Sequence, residues 1–282
     1  MSDPERRLRE LVRDLGRVLV AYSGGVDSAT LLAVCREELG RDGARAAIAD
    51  SPSLPRDELA AARRLADTLD VDLAVVATAE ADDPRWAANG LDRCYHCKAE
   101  LFRKLEPLAA ERGVDVLVYG ANASDAVDFR PGARAAARFG VRAPLAEAGL
   151  DKGAVRALAR RLGLAVWDKP AAPCLASRVP YGTAIDRATL ARVEGAEDHL
   201  RSVLGLRELR VRHHGAIARL EIRPEDRRTV LAARASIVER LRALGYRRVT
   251  LDLAPFLSGS LNPIEVRSAG RPPGDGEVRK TS

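Results

Sequence analysis

The chain has 282 residues, enough for one large domain or two smaller ones, and 46% of them are hydrophobic, so a buried core is within reach. Aromatic residues are only 4%, which leaves that core to Ala, Leu and Val, and the net charge of +6 is spread over helix faces such as Arg63-Arg64, Arg160-Arg161 and Arg227-Arg228. This balance admits anionic ligands such as nucleotides, gives no concentrated basic stripe for nucleic acid, and no apolar run approaches the ~20 residues of a membrane span.

The N-terminal MSDPERRLREL is charged, reads as a helix and lacks the apolar segment of a secretory leader, so a cytoplasmic protein is expected. Strands are predicted at 17–22, 44–50, 71–78, 114–120 and 164–167, with helices at about 27–40, 55–69, 94–112 and 151–162. In the last of these, Val155, Leu158, Ala159 and Leu162 share one face at helical spacing. Strand and helix in alternation predict an α/β fold with a parallel sheet covered on both faces, and ligands on such sheets sit at the carboxyl ends of the strands. A Pro- and Gly-rich linker, DKPAAPCLASRVPYGTAID, follows. Beyond it the pattern changes to helix (186–203), two strands (207–213 and 216–222), helix (224–244) and strand (247–252), a smaller α+β unit. The expected division is 1–170, a linker at 171–185, the small unit at 186–262, and a polar tail at 263–282 expected to be disordered.

The first strand ends in VLVAYSGGVDS. A strand, a Gly-rich turn and a helix start make an anion site, because the first amides of a helix have no intrahelical partner and the dipole favours negative charge. Gly24 and Gly25 permit close backbone approach, and Ser23 and Ser28 offer hydroxyls. Asp27 repels a phosphate unless it caps the helix or holds Mg²⁺ between itself and the phosphates. Neither the GxxxxGK[ST] nor the GxGxxG pattern is present.

Four cysteines punctuate the chain, and in a reducing compartment they suit metal, redox or reactive roles better than disulfides. Cys35 sits in an apolar helix stripe and reads as core. Cys94 and Cys97 form a CxxC at a predicted helix start, half of a zinc site or a redox pair whose thiols the helix N-terminus would acidify. Cys174 lies in the linker, where a nucleophile has freedom to travel. Arg178, four residues on, is positioned with Ser177 to bind phosphate or favour the thiolate. Lys98 and Lys169 are candidates to neutralise phosphate charge.

The complete SGGVDS after a strand resembles the loop of the PP-loop ATP pyrophosphatases, which implies ATP bound by Ser23, Gly24, Gly25, Val26, Asp27 and Ser28 and cleaved between its α and β phosphates. The same resemblance places adenosine contacts near Ser51 in IADSPSLP. It brings Gly120, Asn122, Asp125 and Arg130 of YGANASDAVDFRPG to the nucleotide, Gly120 by allowing close backbone approach. Together with RCYHCK, RAPLAEAGLDKGAVRALARRLGL, KPAAPCLASRVPYG and RVEGAEDHL, the chain to about residue 262 resembles the LarE family of ATP-dependent sacrificial sulfur transferases. That resemblance implies adenylation of the carboxylates of pyridinium-3,5-biscarboxylic acid mononucleotide. It implies Cys174 as a sulfur donor left as dehydroalanine, ATP and Mg²⁺ as cofactors, and a homo-oligomer, often a hexamer. It also implies that Arg210 and Arg212 bind the substrate's anionic groups, with Glu197 and Glu221 as acid/base or metal groups. Two alternatives stay open: three thiolates, Cys94, Cys97 and Cys174, holding a [4Fe–4S] cluster that delivers external sulfide, or another PP-loop adenylating enzyme such as a tRNA thiolase or amide-forming synthetase. The sacrificial reading is preferred here because the CxxC shows no loop context facing the linker.

Overall fold

The computed structural model describes residues 3–127, 131–170, 172–254 and 261. A charged helix, α1 (Asp3–Asp14), leads into β1 (Val18–Ala21), α2 (Val26–Gly43), β2 (Ala44–Asp50), α3 (Arg56–Thr68) and β3 (Leu73–Ala77). The one-turn α4 (Pro84–Ala87), the long α5 (Arg93–Glu111) and β4 (Val116–Tyr119) follow, then α6 (Pro131–Arg138), α7 (Pro144–Glu147) and α8 (Lys152–Arg161). The four strands form one parallel sheet in the order β3-β2-β1-β4. The chain builds outward from β1 to β3 and then crosses to the other side of β1 for β4. The crevice at the carboxyl ends of β1 and β4 is therefore a topological switch point.

β1 is buried throughout and its side chains alternate between two cores. Val18 and Val20 join Leu8, Leu31, Leu59 and Val155 on the face covered by α1, α2, α3 and α8, whereas Leu19 and Ala21 join Phe102, Leu105 and Ala135 under α5 and α6. Burial on both faces is what makes VLVA a continuous apolar run. The regular part of α2 stops at Gly40, whose φ of +72° breaks it, where the predicted helix ended. The strand expected at 164–167 is a turn instead: the amides of Trp167 and Lys169 bond to the carbonyls of Leu164 and Val166 at 3.1 Å each. What joins the sheet beside β4 is a single parallel bridge from Val118 to Arg142.

The second sheet is built after α9 (Arg187–Leu204), which Asp186 caps by accepting from the Thr189 amide at 2.6 Å. It has the order β5 (Leu209–His214), β6 (Ile217–Ile222), β7 (Arg248–Leu251), the first pair antiparallel and the second parallel. Between β6 and β7 the helix expected at 224–244 is broken into α10 (Arg227–Ala232) and α11 (Arg234–Ala243) by Ala233, whose φ and ψ of −90° and 10° are not helical. This sheet has its own core, around Leu200, Leu209, Leu220 and Leu241. Between the two sheets the linker packs Leu175, Ala176 and Val179 against Trp86 and Val193. Among the described residues no helix is long and apolar enough to cross a membrane. The tail expected at 263–282 lies outside the described residues, as does Arg130.

Candidate active site

The Gly-rich turn sits at the switch point. Tyr22 continues β1 by donating its amide to the Ala47 carbonyl at 2.8 Å, and the chain then turns through Ser23–Gly25 into α2. Gly24 holds φ at +72° and packs so tightly on α3 that a Cβ there would stand 2.8 Å from the Ala62 Cβ. Gly25 precedes the helix without any side-chain cap, so the first amides of α2 point outward unpaired by the helix. Ser28 is turned inward: its hydroxyl donates to the Gly25 carbonyl at 3.1 Å and accepts from the Ser23 amide at 3.2 Å. It is thus a strap that shapes the loop, and Ser23, 3.0 Å from it, is the hydroxyl nearer the cavity. Gly120 has a different reason from the one expected. A Cβ there would lie 2.5 Å from the Ser28 nitrogen and 2.8 Å from the Asp27 carbonyl carbon, so what the glycine admits is the first turn of α2.

Asp27 does not cap its helix. One carboxylate oxygen accepts from the Asn122 amide at 3.3 Å, and the other is ion-paired with Lys152 at the start of α8. Asn122, whose side-chain Nδ2 makes that bond, is itself fixed: its backbone N–H donates to Asp125 at 3.1 Å and its side-chain oxygen accepts from the Ser124 backbone N–H at 3.0 Å. A cation that shares its shell with phosphates needs only one or two carboxylates from the protein, and Asp27 is the carboxylate at the loop of a kind that would serve, here paired with Lys152. Glu221 does not join it. It is buried in the second sheet between Arg212 at 2.7 Å and Arg219 at 2.8 Å. Among the described residues no group of three His, Cys, Asp or Glu is placed to hold a single metal ion.

A cavity of about 490 Å³ opens above the loop. Ser23, Gly25, Val26 and Asp27 form its floor, Ser51 and Thr78 one wall, and Lys98, Lys152, Arg156 and Lys169 its basic rim. Cys174 and Cys97 both open into it. An adjoining cavity on the other side of the loop is lined by Ser28, Gly120, Asn122 and Asp125, and Cys94 faces that one. Lys98 borders both, held over the rings of Tyr119 and Phe102 at 5.1 and 5.7 Å. The CxxC therefore does face the linker, against expectation, and the thiols of Cys94, Cys97 and Cys174 lie within electrostatic reach of one another. Both thiols lie above their ordinary range, not below it. Burial pushes the Cys97 thiol up, aided by the charge of Glu80, while Cys94, an exposed residue at the start of α5, is raised by desolvation of its thiol and by the charge of Cys174.

Cys174 is positioned by its backbone. Leu175 donates to the Ser53 carbonyl at 2.8 Å, tying the linker to the loop after β2. Arg178, 1% exposed, donates to the carbonyls of Pro173 and Cys174 and to the Ser177 hydroxyl at 3.1 Å. Its other face makes a two-pronged pair with Glu197, 2.9 Å at each prong. Glu197 is fully buried and also accepts from Arg201 at 2.8 Å and the Val211 amide at 3.0 Å. Burial alone would raise its carboxyl, but the Arg178 and Arg201 charges win and hold it below the ordinary range. An acceptor engaged by four donors is an anchor, not an acid or base for a cavity ligand, and Arg178 is spent on the linker instead of on phosphate. Arg212 likewise braces the linker, donating to the Ser177 carbonyl at 2.9 Å. Arg210 lines a cavity of about 780 Å³ that shares Lys169 and Pro173 with the one over the loop and mixes Arg201 and Arg223 with Asp57 and Glu208, and burial, with the Arg178 charge, pulls its guanidinium down to about 10.

The sequence missed Lys152, Arg156, Glu58 and Glu80. Lys169 pairs with Glu58 at 2.5 Å, and Arg156 holds the carbonyls of Trp167 and Lys169 at 2.9 and 2.8 Å. The available signal was the pairing of Lys152 and Arg156 one helical turn apart behind the Asp151 cap, which puts both on one face of α8.

A parallel sheet with this loop at its switch point defines a PP-loop nucleotide-binding fold. No family model matches the chain. Over 252 residues, 89% of the chain and 91% of the relative, it is 38% identical to the pyridinium-3,5-bisthiocarboxylic acid mononucleotide synthase of Lactiplantibacillus plantarum. It is also 42% identical over 259 residues to an uncharacterized protein of Synechocystis sp., covering 91% of the chain and 96% of the relative. An uncharacterized protein of Methanocaldococcus jannaschii is 27% identical over 86% of the chain and 91% of its own length. The chain belongs to the LarE family, that of the pyridinium-3,5-bisthiocarboxylic acid mononucleotide synthases.

Proposed function

We propose that this chain is an AMP-forming sulfur transferase that converts the carboxylates of pyridinium-3,5-biscarboxylic acid mononucleotide into thiocarboxylates for a nickel-pincer cofactor, with Cys174 as sulfur donor. One observation carries the reading: a single cavity, of a size that suits a nucleotide, joins the Gly-rich loop to the Cys174 thiol. The α2 amides, Lys98 and Lys152 hold the leaving pyrophosphate while the ring carboxylate attacks the α-phosphorus. Asp27 would hold a Mg²⁺ ion at the loop, and that ion would supply charge neutralisation. The Cys174 thiolate then attacks the acyl carbon and AMP departs. Loss of the Cys174 Cα proton breaks its Cβ–S bond, leaving sulfur on the substrate and dehydroalanine in the chain. Arg210 and its cavity receive the substrate's phosphate, and a homo-oligomer, possible to size by light scattering, completes the expected state.

The placement of Cys94 and Cys97 favours a second reading, in which the three thiolates hold a [4Fe–4S] cluster. Such a group would bind external sulfide for transfer and would spare Cys174. Intact-mass measurement after turnover with ATP, Mg²⁺ and the dicarboxylate separates the two. Loss of one H₂S per chain supports sacrifice; thiolated product from protein of unchanged mass refutes it.

A further inference from the structure

The cavity over the Gly-rich loop and the cavity that holds Arg210 share one wall, made by Glu58, Lys169, Pro170, Ala172 and Pro173. Its backbone is held at Lys169, because Arg156 donates to the carbonyls of Trp167 and Lys169 at 2.9 and 2.8 Å. What can change at the wall is its side-chain pair. Lys169 donates to the Glu58 carboxylate at 2.5 Å, with the two side chains 22% and 21% exposed. Among the described residues Glu58 is the one carboxylate that lines both cavities: of the two, Asp27 borders only the first, and Asp57, Asp168 and Glu208 only the second. The acceptor proposed above carries a phosphate, a permanently cationic pyridinium ring and two ring carboxylates. With its phosphate by Arg210 and a carboxylate at the loop, the ring between them falls at the shared wall. We propose that Glu58 determines specificity by recognising that cationic ring: its carboxylate gives up Lys169 and faces the pyridinium instead. This rests on the acceptor proposed above and on neither source of sulfur.

A pyridinium nitrogen that carries a ribose has no proton to donate, so the protein can recognise its charge only through the field of a nearby anion or the face of an aromatic ring. The wall supplies the anion. Pro170, Ala172 and Pro173 add apolar surface on which a flat ring can lie, and the two prolines bring no amide donor to compete for the carboxylate. The exchange conserves charge, since one cation replaces another beside Glu58. Lys169, which borders both cavities, is freed for the acceptor's own anionic groups. A neutral ring of the same shape offers no such exchange. Glu58 would keep Lys169, or stand unpaired in a partly buried site at a cost. The wall therefore selects the charge of the ring as well as its shape.

The test uses the full-length protein with ATP and Mg²⁺ and reads AMP release. The half-saturating concentration of the pyridinium dicarboxylate mononucleotide is compared with the inhibition constant of its neutral isostere, a 3,5-dicarboxyphenyl riboside 5′-phosphate with carbon in place of the ring nitrogen. Wild type should favour the cationic ring by about fivefold or more, the weight of a partly screened charge pair. Glu58→Gln keeps the shape of the wall, and a thermal melt checks that it is folded. It should bind the mononucleotide about fivefold more weakly and bring the preference close to one. Loss of a merely structural contact would weaken both ligands alike. An unchanged preference in folded Glu58→Gln, or no preference in wild type, therefore overturns the role of Glu58 and leaves the acceptor standing. Absence of AMP release by wild type with the mononucleotide overturns the acceptor and this inference with it.

Discussion

Replacing Glu197 by glutamine keeps the shape of the anchor under the Cys174 linker and removes its charge. In the native protein that carboxylate accepts from both prongs of Arg178, from Arg201 and from the Val211 amide, with no solvent contact. The variant strands a guanidinium that is 1% exposed. Breaking a buried pair in this way costs about 3–5 kcal/mol, and because glutamine still accepts at one oxygen the lower figure applies. Against a total stability of ~5–15 kcal/mol that is a large fraction, and with a urea slope of about 3 kcal/mol per M the midpoint falls by about 1 M. Because Arg178 also holds the carbonyls of Pro173 and Cys174, the loosened linker should expose the thiol, so native-state alkylation of Cys174 speeds up as sulfur transfer slows. The same pair carries a pH dependence. The Glu197 carboxyl lies lower folded than unfolded, so its stabilisation is complete above the unfolded value of ~4.3 and is lost as pH falls through the folded one. Glu197→Gln should flatten that acid limb. A variant with wild-type urea midpoint and Cys174 alkylation rate but no sulfur transfer would refute the anchor and restore the acid/base role.

Lys152→Met should leave the fold intact, since the side chain is 42% exposed, and lower AMP formation by about 10–100-fold through loss of a charge-assisted contact to phosphate; a coupled pyrophosphate assay reads it. Gly120→Ala forces a Cβ to within 2.5 Å of the Ser28 nitrogen. It should cost about 1–3 kcal/mol and weaken ATP binding, checked by thermal melts and a nucleotide titration; Gly25→Ala, whose Cβ would meet only the Ser23 hydroxyl at 3.5 Å, should melt like wild type. Burial raises the Cys35 thiol to about 12, so iodoacetamide at pH 8 should leave Cys35 unmodified in the native protein and label it on denaturation, which peptide mapping shows.

Local signals carried much of this fold. The apolar run at β1, the caps at Asp151 and Asp186 and the apolar stripe of α8 state their elements in adjacent residues. Misreadings came where adjacent residues mislead. LAVW at 164–167 has strand composition but is held as a turn, and a helical pattern across Ala233 hid a break at that residue, which packs against the second core. The short α4, α6 and α7 have too few turns to show a period.

By itself the sequence determined the Gly-rich loop, since strand, glycine turn and helix start are contiguous and their amide chemistry is local, and it singled out Cys174 as the linker thiol. Only the tertiary structure decided what surrounds them. Lys152 meets Asp27 across 125 residues, and Glu197 reaches Arg178 from a different helix. Arg178, Arg212 and Glu221 became braces because burial forces every charge to find a partner. The CxxC turned toward the linker for a similar reason: α5 must lay Phe102 and Leu105 on the sheet, and the pitch of the helix then presents Cys97 to the cavity over the Gly-rich loop and Cys94 to its neighbour.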